Sequence, residues 1–336
     1  MSAFERIRRR HVALTATRAF FGARGFFEVD TPLLVPGPGL EPHIDPLPVQ
    51  VRVGFDGPAQ QRFLITSPEL AIKTLLASTP ALTKVFQLGH VFRDGERTKR
   101  HLPEFTMLEW YRVGGSLDDL VRDHEELFAA VAFALQLPAP PTPFAQATVH
   151  DLFAAHAGID LRAALLRTHA GDARALVDDV SARSPLDAAA LRPGADFEDA
   201  FFHVMGALVE PAIGRQRPAV VRRWPTSMAA LASKCDDDAL FADRFEIYAH
   251  VAGLGSLELS NAFAELTDPI EQRARFEKDN EQRRALGKPT LPLDEEFLAV
   301  LADLAPTAGC ALGFDRLLML LGQATDVDDV TAVKWR

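Results

Sequence analysis

The stretch with the clearest potential for chemistry is a charged loop between two strand-like segments. Residues 85–92 and 104–113 have the apolar, β-branched and aromatic character of strands, and residues 93–103 between them are rich in arginine, lysine and histidine. Arginine presents a fixed fork of donors to phosphate oxygens, so a basic loop bracketed by strands suits a triphosphate. On composition alone, a charged hairpin loop that is merely solvated is the alternative.

A second stretch places carboxylates inside apolar strands. Glu246 and Glu258 fall on two segments that we expect to pair, and Glu258, Asn261 and Glu265 interrupt an otherwise apolar run. A buried carboxylate needs a metal ion or another cation nearby. Oxygen ligands of this kind suit a Mg²⁺ ion that carries a nucleotide's phosphates. An edge strand with solvent-facing glutamates is the competing interpretation.

The third stretch, residues 309–320, begins with small residues and continues as an apolar helix. Small side chains let a ligand approach a strand closely, and Arg316 falls at the junction of strand and helix. The flat guanidinium of an arginine can stack on a planar ring. A glycine-rich strand that leads into a helix is also common packing, so this stretch alone is a weak signal.

The elements that must position these residues can be read from hydrophobic periodicity. The pattern predicts strands, then helices, then strands again, without the regular alternation of a doubly wound fold. It therefore favours an α+β domain built on a mostly antiparallel sheet flanked by helices. Ser67 is expected to cap a helix that opens with Pro68 and Glu69, and Ser116 with Asp119 resembles a capping box. Helices are predicted at 3–24, from Ser116, through most of 148–210, at 268–286 and at 315–321; strands at 26–30, 63–66, 85–92, 104–113, 219–224, 245–250, 256–263 and 309–314, with a hairpin tip at 251–255.

Composition excludes several classes of protein. The 336 residues include 36 Lys and Arg against 46 Asp and Glu, a formal charge of −10, and 48% are hydrophobic. These are globular proportions, and no run of 18 apolar residues predicts a membrane span. Net acidity argues against a protein that binds nucleic-acid phosphates. Cys235 and Cys310 make neither a disulfide framework nor a zinc site, which fits a reduced, cytoplasmic location.

The order and spacing of the three stretches are far more specific than any one of them. Residues 12–32 resemble motif 1 of the class II aminoacyl-tRNA synthetases, residues 85–112 resemble motif 2 and residues 309–321 resemble motif 3. The runs 103–111 and 261–265 resemble the lysyl branch of that family. Within the branch, residues 66–69, 41–43 and 109–112 are most similar to the elongation factor P lysine ligases. The resemblance spans about residues 5–330 and implies one catalytic domain over 1–336, with a helical insertion at about 116–215.

The resemblance implies ATP and Mg²⁺ as cofactors and activation of lysine or (R)-β-lysine to an aminoacyl-adenylate. Arg93 and Arg316 match the family's catalytic arginines, and Glu246 and Glu258 match its Mg²⁺-ATP carboxylates. Glu109 matches the residue that binds the cationic end of the substrate. The positions that match ATP-binding residues are Arg93, Glu96, His101, Phe105, Glu246, Glu258 and Arg316. Those that match amino-acid-binding residues are Ser67, Glu69, Glu109, Tyr111, Asn261, Phe263, Glu265 and Ala311, the last being glycine in lysyl-tRNA synthetases and alanine in the ligases.

The sequence departs from the family pattern in three places. Gly95 stands where a glutamate is common, and Glu96 follows one position later, which puts the role of Glu96 in doubt. Ala262 replaces the usual glycine after the pocket asparagine. Glu246 and Glu258 are twelve residues apart where about seven are expected, so residues 251–256 predict an extended hairpin. A one-residue register shift there would turn one carboxylate to the other face.

The resemblance also implies partners. The motif 1 region begins within the first 30 residues, so we expect no anticodon-binding module, and the acidic charge disfavours tRNA as acceptor. We therefore expect elongation factor P as protein acceptor, a homodimer formed through motif 1, and no membrane. Two alternatives remain: a lysyl-adenylate ligase that loads another carrier or acceptor, and a catalytically inactive regulatory paralogue. The presence of Arg93, Glu109, Glu246, Glu258 and Arg316 counts against the second.

Overall fold

The structure is a computed structural model that describes residues 2–54, 56–186, 191 and 194–335. Its elements in chain order are α1 (Ala3–Ala23), β1 (Phe27–Glu28), β2 (Leu34–Val35), β3 (Pro48–Arg52), β4 (Ala59–Leu64), α2 (Glu69–Ser78), β5 (Lys84–Phe92), β6 (Glu104–Val113), α3 (Leu117–Leu135), β7 (Ala145–Thr148), α4 (Val149–Ala157), α5 (Leu161–His169), α6 (Ala175–Arg183), α7 (Phe197–Val204), β8 (Ala219–Pro225), β9 (Phe241–Val251), β10 (Gly255–Ala264), α8 (Pro269–Ala285), α9 (Glu295–Val300), β11 (Thr307–Gly313) and α10 (Phe314–Gly322).

The chain forms two compact units. The first combines Met1–Ala139 with Ala264–Arg336, and the second is the continuous segment Pro140–Phe263. α3, which the sequence suggested as the start of a helical insertion, belongs to the first unit, and α4 to α7 belong to the second. That the whole chain works as one catalytic domain stays a prediction.

The first unit contains four strands in the order β1-β5-β6-β11 and a small sheet in the order β2-β4-β3. β1 runs parallel to β5, whereas β5, β6 and β11 pair antiparallel. The sheet packs on aromatic side chains: the Phe21 and Phe86 rings stack with centroids 4.8 Å apart, and Trp110 lies against Phe21 at 5.4 Å. All three side chains are buried, so they fix the sheet to α1.

The second unit contains four strands in the order β10-β9-β8-β7. β8, β9 and β10 pair antiparallel, and β7 pairs parallel with β8. The helices α4 to α7 supply an apolar core with these strands, in which Phe153 and Phe201 stack at 5.0 Å and Trp224 lies 5.6 Å from Phe201. Both units therefore confirm the expected α+β architecture with mostly antiparallel pairing.

Local sequence signals were confirmed at several points. Ser116 and Asp119 form both halves of a capping box at the start of α3. β9 ends at Val251 and β10 begins at Gly255, as the hairpin pattern predicts. Among the described residues, no helix has the length and apolar character that a membrane crossing requires.

Other expectations were wrong in detail. α2 begins at Glu69 with Pro68 as its N-cap residue and no side-chain cap, so Ser67 does not cap it. The strand expected at 26–30 is reduced to Phe27–Glu28. The strand expected at 63–66 begins earlier and ends at Leu64. The predicted helical run 148–210 is interrupted between its helices, and residues 187–190, 192 and 193 lie outside the described part.

Candidate active site

One group of candidate residues lies on a strand face in the first unit. In the pairing of β6 with β11, Glu109 lies opposite Ala311 and Tyr111 opposite Gly309. Because side chains alternate between the faces of a strand, these four positions share one face. The Tyr111 hydroxyl donates to Glu109 Oε2 at 3.0 Å. A Cβ atom at Gly309 would collide with the Tyr111 ring and the Glu265 carboxylate, so glycine is what lets these groups meet.

An internal ion pair lies beside this face. Lys73 follows Glu69 by one helical turn on α2, and its Nζ lies 2.5 Å from Glu69 Oε1 and also pairs with Glu265 Oε2. The Lys73 side chain is 0% exposed. Burial alone lowers the pKa of Lys73, but its pairing with Glu265 and Glu69 raises that pKa above the ordinary value. Lys73 is therefore a permanent buried ammonium.

We refer to Glu69, Lys73, Glu109, Tyr111 and Glu265 as the carboxylate pocket, in which three carboxyl groups surround one ammonium. Burial, with repulsion from Glu69, raises the pKa of Glu109 well above its ordinary range. Burial also raises the pKa of Glu265 to about 8, although Lys73 acts in the opposite direction. Both of these carboxyl groups have an oxygen that accepts no hydrogen bond from the described residues, namely Glu109 Oε1 and Glu265 Oε1. Buried acceptors without donors favour a bound cation.

A further buried acid lies near this pocket. Burial raises the pKa of Glu41, with a contribution from Glu69 that Arg93 and Lys73 oppose. The segment that carries Glu41 is anchored by the buried Arg283, whose Nη1 donates to the carbonyl oxygens of Glu41 and Ile44 at 3.1 and 3.0 Å. The position of Glu41 is thus set by α8.

The motif 2 and motif 3 arginines lie in the first unit too. Arg93 lies over the Phe105 ring, with 5.1 Å from its Cζ to the ring centroid, and its Nη1 is 3.8 Å from Glu96 Oε1. Arg316 Nη2 is 2.6 Å from His101 Nε2, and Thr98 Oγ1 is 2.8 Å from His101 Nδ1. Since an arginine can only donate, His101 Nε2 accepts, and Nδ1 carries the ring hydrogen. His101 is therefore a neutral acceptor for Arg316.

The backbone explains one departure from the family pattern. Gly95 has a φ of 75°, a left-handed conformation that glycine adopts freely and glutamate does not. The glutamate common at this position would be strained, whereas Glu96, one residue later, reaches Arg93. A carboxylate therefore still lies beside Arg93, but it comes from the next position in the chain, Glu96.

Another group of candidate residues lies on a strand face in the second unit. Arg244, Glu246 and Tyr248 alternate along β9, and Arg244 donates to Glu246 Oε1 at 2.5 Å and to Asn261 Oδ1 at 2.9 Å. The Tyr248 hydroxyl donates to Glu246 Oε2. Burial, with repulsion from Glu258, raises the pKa of Glu246 to about 8. Glu246 is therefore held by two donors yet still poorly compensated for its charge.

A β-bulge decides which side chains share that face. Asn261 lies opposite Glu246 and Glu258 opposite Tyr248, with a register shift between Glu258 and Ser260. Without the shift, Glu258 and Asn261 would point to opposite faces, because they are an odd number of residues apart. The extra residue places Glu258 on the face of Glu246, so the lengthened hairpin keeps both carboxylates together.

The donor set of this face fits a magnesium ion that is shared with phosphates. Among the described residues, no group of three or more His, Cys, Asp or Glu side chains could hold a metal ion by itself. Glu246 and Glu258 offer two carboxylates, which is the protein share that Mg²⁺ takes when phosphates and water supply its other ligands.

The structure brings most of the predicted residues into these two groups. Glu69, Glu109, Tyr111, Glu265 and Ala311 belong to the carboxylate pocket or its strand face, and Arg93, Glu96, Phe105, His101 and Arg316 form the two arginine contacts. Phe263 lies opposite Arg244 on the second face with Asn261. Ser67 is half-buried just before α2.

Sequence reasoning missed the residues that hold the predicted ones in place. Lys73 was detectable as the residue four after Glu69 on a helix, a spacing that brings two side chains together. Arg244 and Tyr248 were detectable because they alternate with Glu246 along a strand. Nothing in the sequence signals the position of Glu41.

Comparison with known proteins gives matches over nearly the whole chain. A family model described as tRNA synthetases class II (D, K and N) matches residues 2–333. The chain is similar to proteins named elongation factor P--(R)-beta-lysine ligase: it is 35% identical over 332 residues to that of Pseudoalteromonas translucida, covering 97% of this chain and 94% of the relative. Identity to that of Histophilus somni is 36% over 314 residues, covering 93% and 90% of the two chains. Identity to that of Edwardsiella ictaluri is 36% over 323 residues, covering 95% of this chain and 91% of the relative.

Proposed function

The chain belongs to the class II tRNA synthetase family of the D, K and N type, and from that premise we propose that it is a ligase for elongation factor P. It activates lysine or (R)-β-lysine with ATP and transfers the aminoacyl group to a lysine of elongation factor P. Relatives that match nearly the whole chain carry the name of this activity. Use of ATP is common to the family.

The observation that carries this proposal is the carboxylate pocket. It holds three buried carboxyl groups around one internal ammonium, with Glu109 and Glu265 each keeping an oxygen that no described residue satisfies. A substrate that brings amino groups as ammonium ions matches both the charge and the missing donors. A lysine-type amino acid has two such groups, whereas an aspartate or asparagine side chain brings no cation.

The proposed reaction has two steps. A carboxylate oxygen of the substrate attacks the α-phosphorus of ATP, the bond to the β-phosphate bridge oxygen breaks, and pyrophosphate leaves. The amine nitrogen of the acceptor lysine then attacks the acyl carbon, AMP leaves, and the nitrogen loses a proton as the amide forms. The enzyme's contribution is orientation and charge stabilisation rather than a covalent intermediate.

We propose nucleotide roles residue by residue, from the family position that each one matches. Arg93 offers a guanidinium to the α-phosphate and the substrate carboxylate, with Phe105 as the ring for adenine stacking. Arg316 and His101 lie at the start of α10 and in the motif 2 loop, and we propose that both contact ATP. Glu246 and Glu258 would hold Mg²⁺, which shields phosphate charge when bound.

The experiment that tests the activity is ATP–pyrophosphate exchange with L-lysine and (R)-β-lysine in parallel. We expect exchange with at least one of them and none with aspartate or asparagine. Well-folded protein that exchanges with neither lysine would overturn the activity. Intact-mass measurement of elongation factor P, incubated with enzyme, ATP and the preferred lysine, then tests the acceptor. Exchange with an unmodified factor mass would point to another acceptor.

We further propose that the enzyme is a cytoplasmic homodimer that uses no tRNA. α1 carries the exposed apolar side chains Phe4 and Ile7, and Phe27 follows it with 61% of its surface exposed. Exposed apolar groups at motif 1 are what a second copy of the chain could cover. Light scattering at micromolar concentration tests this, and a purely monomeric mass contradicts it. Failure to charge tRNA with lysine, measured beside modification of the factor, tests the acceptor choice.

A further inference from the structure

The most unusual group in the first unit is a lysine inside a pocket that we assign to a lysine substrate. Lys73 is fully enclosed, and its ammonium is shared between Glu69, on its own helix, and Glu265, which lies in the chain segment after β10. A buried charge is costly, and a lysine retained in such a place has a role that a packed apolar side chain could not fill.

We propose that Lys73 is a positioning residue for recognition of the substrate's amino group: its ammonium fixes the Glu69 and Glu265 carboxylates and aims the second oxygen of each at the substrate. The inference rests on the proposed function, because it names how the same pocket binds its amino acid. Lys73 itself is not proposed to touch the substrate.

The geometry supports a role through its two partners. Glu265 offers Oε2 to Lys73, while its Oε1 faces Gly309 and Tyr111 and accepts no hydrogen bond from the described residues. One oxygen is thus anchored and the other is left for a ligand. Glu69 is anchored through Oε1 in the same way, at 2.5 Å.

Charge balance supports the role as well. The charged groups that interact with this ammonium are Glu69 on α2, Glu265 after β10, Glu109 on β6 and Glu41 on the loop before β3. The acids outnumber the cations even with Lys73 present. Without it, the pKa values of Glu109 and Glu265 would rise further, and a protonated carboxyl cannot pair with a substrate ammonium.

The test is Lys73→Met, which keeps the length and apolar stem of the side chain and removes its charge. Binding of L-lysine and (R)-β-lysine is measured by calorimetry without ATP from pH 6 to 9.5, beside the KM values for lysine and ATP in pyrophosphate exchange. We expect lysine binding at pH 7 to weaken by roughly 30-fold or more, and the KM for ATP to stay within about threefold. The acidic limb of the affinity profile should move up by about one pH unit, since more alkali is needed to ionise the pocket.

Two matched variants separate this role from packing. Lys73→Arg keeps the charge and should retain the wild-type position of the acidic limb. Lys84→Met removes another partly buried lysine of the first unit, whose Nζ lies over the Phe26 ring, and should lower stability without moving lysine affinity or its pH profile. Folded Lys73→Met with wild-type lysine affinity and an unshifted limb would overturn the proposal, whatever its melting temperature.

The design also covers a variant that fails to fold and an enzyme that fails to react. If Lys73→Met does not fold, the double variant Lys73→Met/Glu265→Gln buries one fewer unbalanced charge and is compared with Glu265→Gln alone. The proposal expects a further loss of lysine affinity there, because Glu69 has also lost its cation, and equal affinity contradicts it. If wild-type protein binds lysine but gives no exchange, the proposed function fails while the calorimetric comparison still decides the role of Lys73. If it binds neither lysine, both fail.

Discussion

Tyr111 and Glu109 lie two residues apart on β6 and are joined by a hydrogen bond of 3.0 Å in which the tyrosine donates. Both side chains are buried, with 2% and 1% of their surfaces exposed. The hydroxyl satisfies Oε2 and leaves Oε1 as an acceptor that no described residue uses. The pair is therefore a half-satisfied carboxyl group whose second oxygen is left for a bound cation.

Removing the charge of Glu109 should therefore weaken lysine use strongly. For Glu109→Gln we expect the KM for lysine to rise by about 100-fold in pyrophosphate exchange, because a buried ammonium loses its counter-charge. Tyr111→Phe keeps that charge and should cost only about tenfold. Unchanged exchange kinetics in Glu109→Gln would refute the assignment of this residue.

Lysine binding should release protons near neutral pH. Burial raises the pKa of Glu265 to about 8, so this carboxyl is mostly protonated in the empty pocket at pH 7, and burial raises the pKa of Glu109 as well. A bound ammonium favours the ionised carboxyls, so these protons leave on binding. Calorimetry at pH 7 in buffers of different ionisation enthalpy should show a net release of protons on binding. Buffer-independent heats would contradict the prediction, and Glu109→Gln should release fewer protons.

Substitution of two small residues of β11 should change the space inside the pocket in opposite directions. Gly309→Ala places a methyl group against the Tyr111 ring and the Glu265 carboxylate, so we expect lysine binding to fall by at least about tenfold while the protein still folds. Ala311→Gly removes a methyl group opposite Glu109 and should widen the pocket. We expect the ratio of kcat/KM for (R)-β-lysine over L-lysine to fall in that variant. A wild-type lysine affinity in Gly309→Ala would show that the close approach at this position is unimportant.

The free energy of unfolding of the ligand-free protein should depend on pH through Glu246. Burial and Glu258 raise its pKa from an ordinary 4.5 to about 8, so the folded state holds this proton more tightly than the unfolded state does. Stability from this group is therefore present below pH 4.5 and is lost as pH rises toward 8, by at most about 1.4 kcal/mol per pH unit.

Glu246→Gln should flatten that slope in urea unfolding measured from pH 5 to 8. Glu295→Gln is the matched control, because Glu295 is an exposed carboxyl whose pKa is lowered by Arg273 and which titrates below this range. Equal slopes for wild type and Glu246→Gln would exclude a raised pKa at this position.

The sequence predicted the parts of the site whose residue types are themselves the signal. Arg93, Glu109 and Arg316 could be found because their positions match the motifs of the family that the sequence resembles. α3 and its capping box could be found because Ser116 and Asp119 act locally. These elements depend on neighbours in the chain, so the chain alone determines them.

The rest depended on contacts that no local pattern encodes. The bulge after Glu258 adds one residue to one strand, and its position follows from packing on both faces rather than from composition. Lys73 stands four residues after Glu69 on α2, but its second partner, Glu265, lies nearly two hundred residues later, and only the fold brings these two together. Ser67 looked like a cap because it precedes proline, yet the helix begins with Pro68 in the cap position.

The interrupted course of the first unit has a consequence for biosynthesis. Lys73 pairs with Glu265, Asp45 pairs with Arg283, and β6 pairs with β11. In each case the second partner is synthesised after residue 263, so residues 1–139 leave the ribosome before their unit can be completed. Residues 140–263 are continuous and have their own core, so they can fold as soon as they emerge. During translation the nascent chain therefore exposes charged side chains, such as Lys73, that are buried in the complete protein. A ribosome stalled before residue 264 would present a folded middle and an incompletely folded beginning to chaperones and proteases.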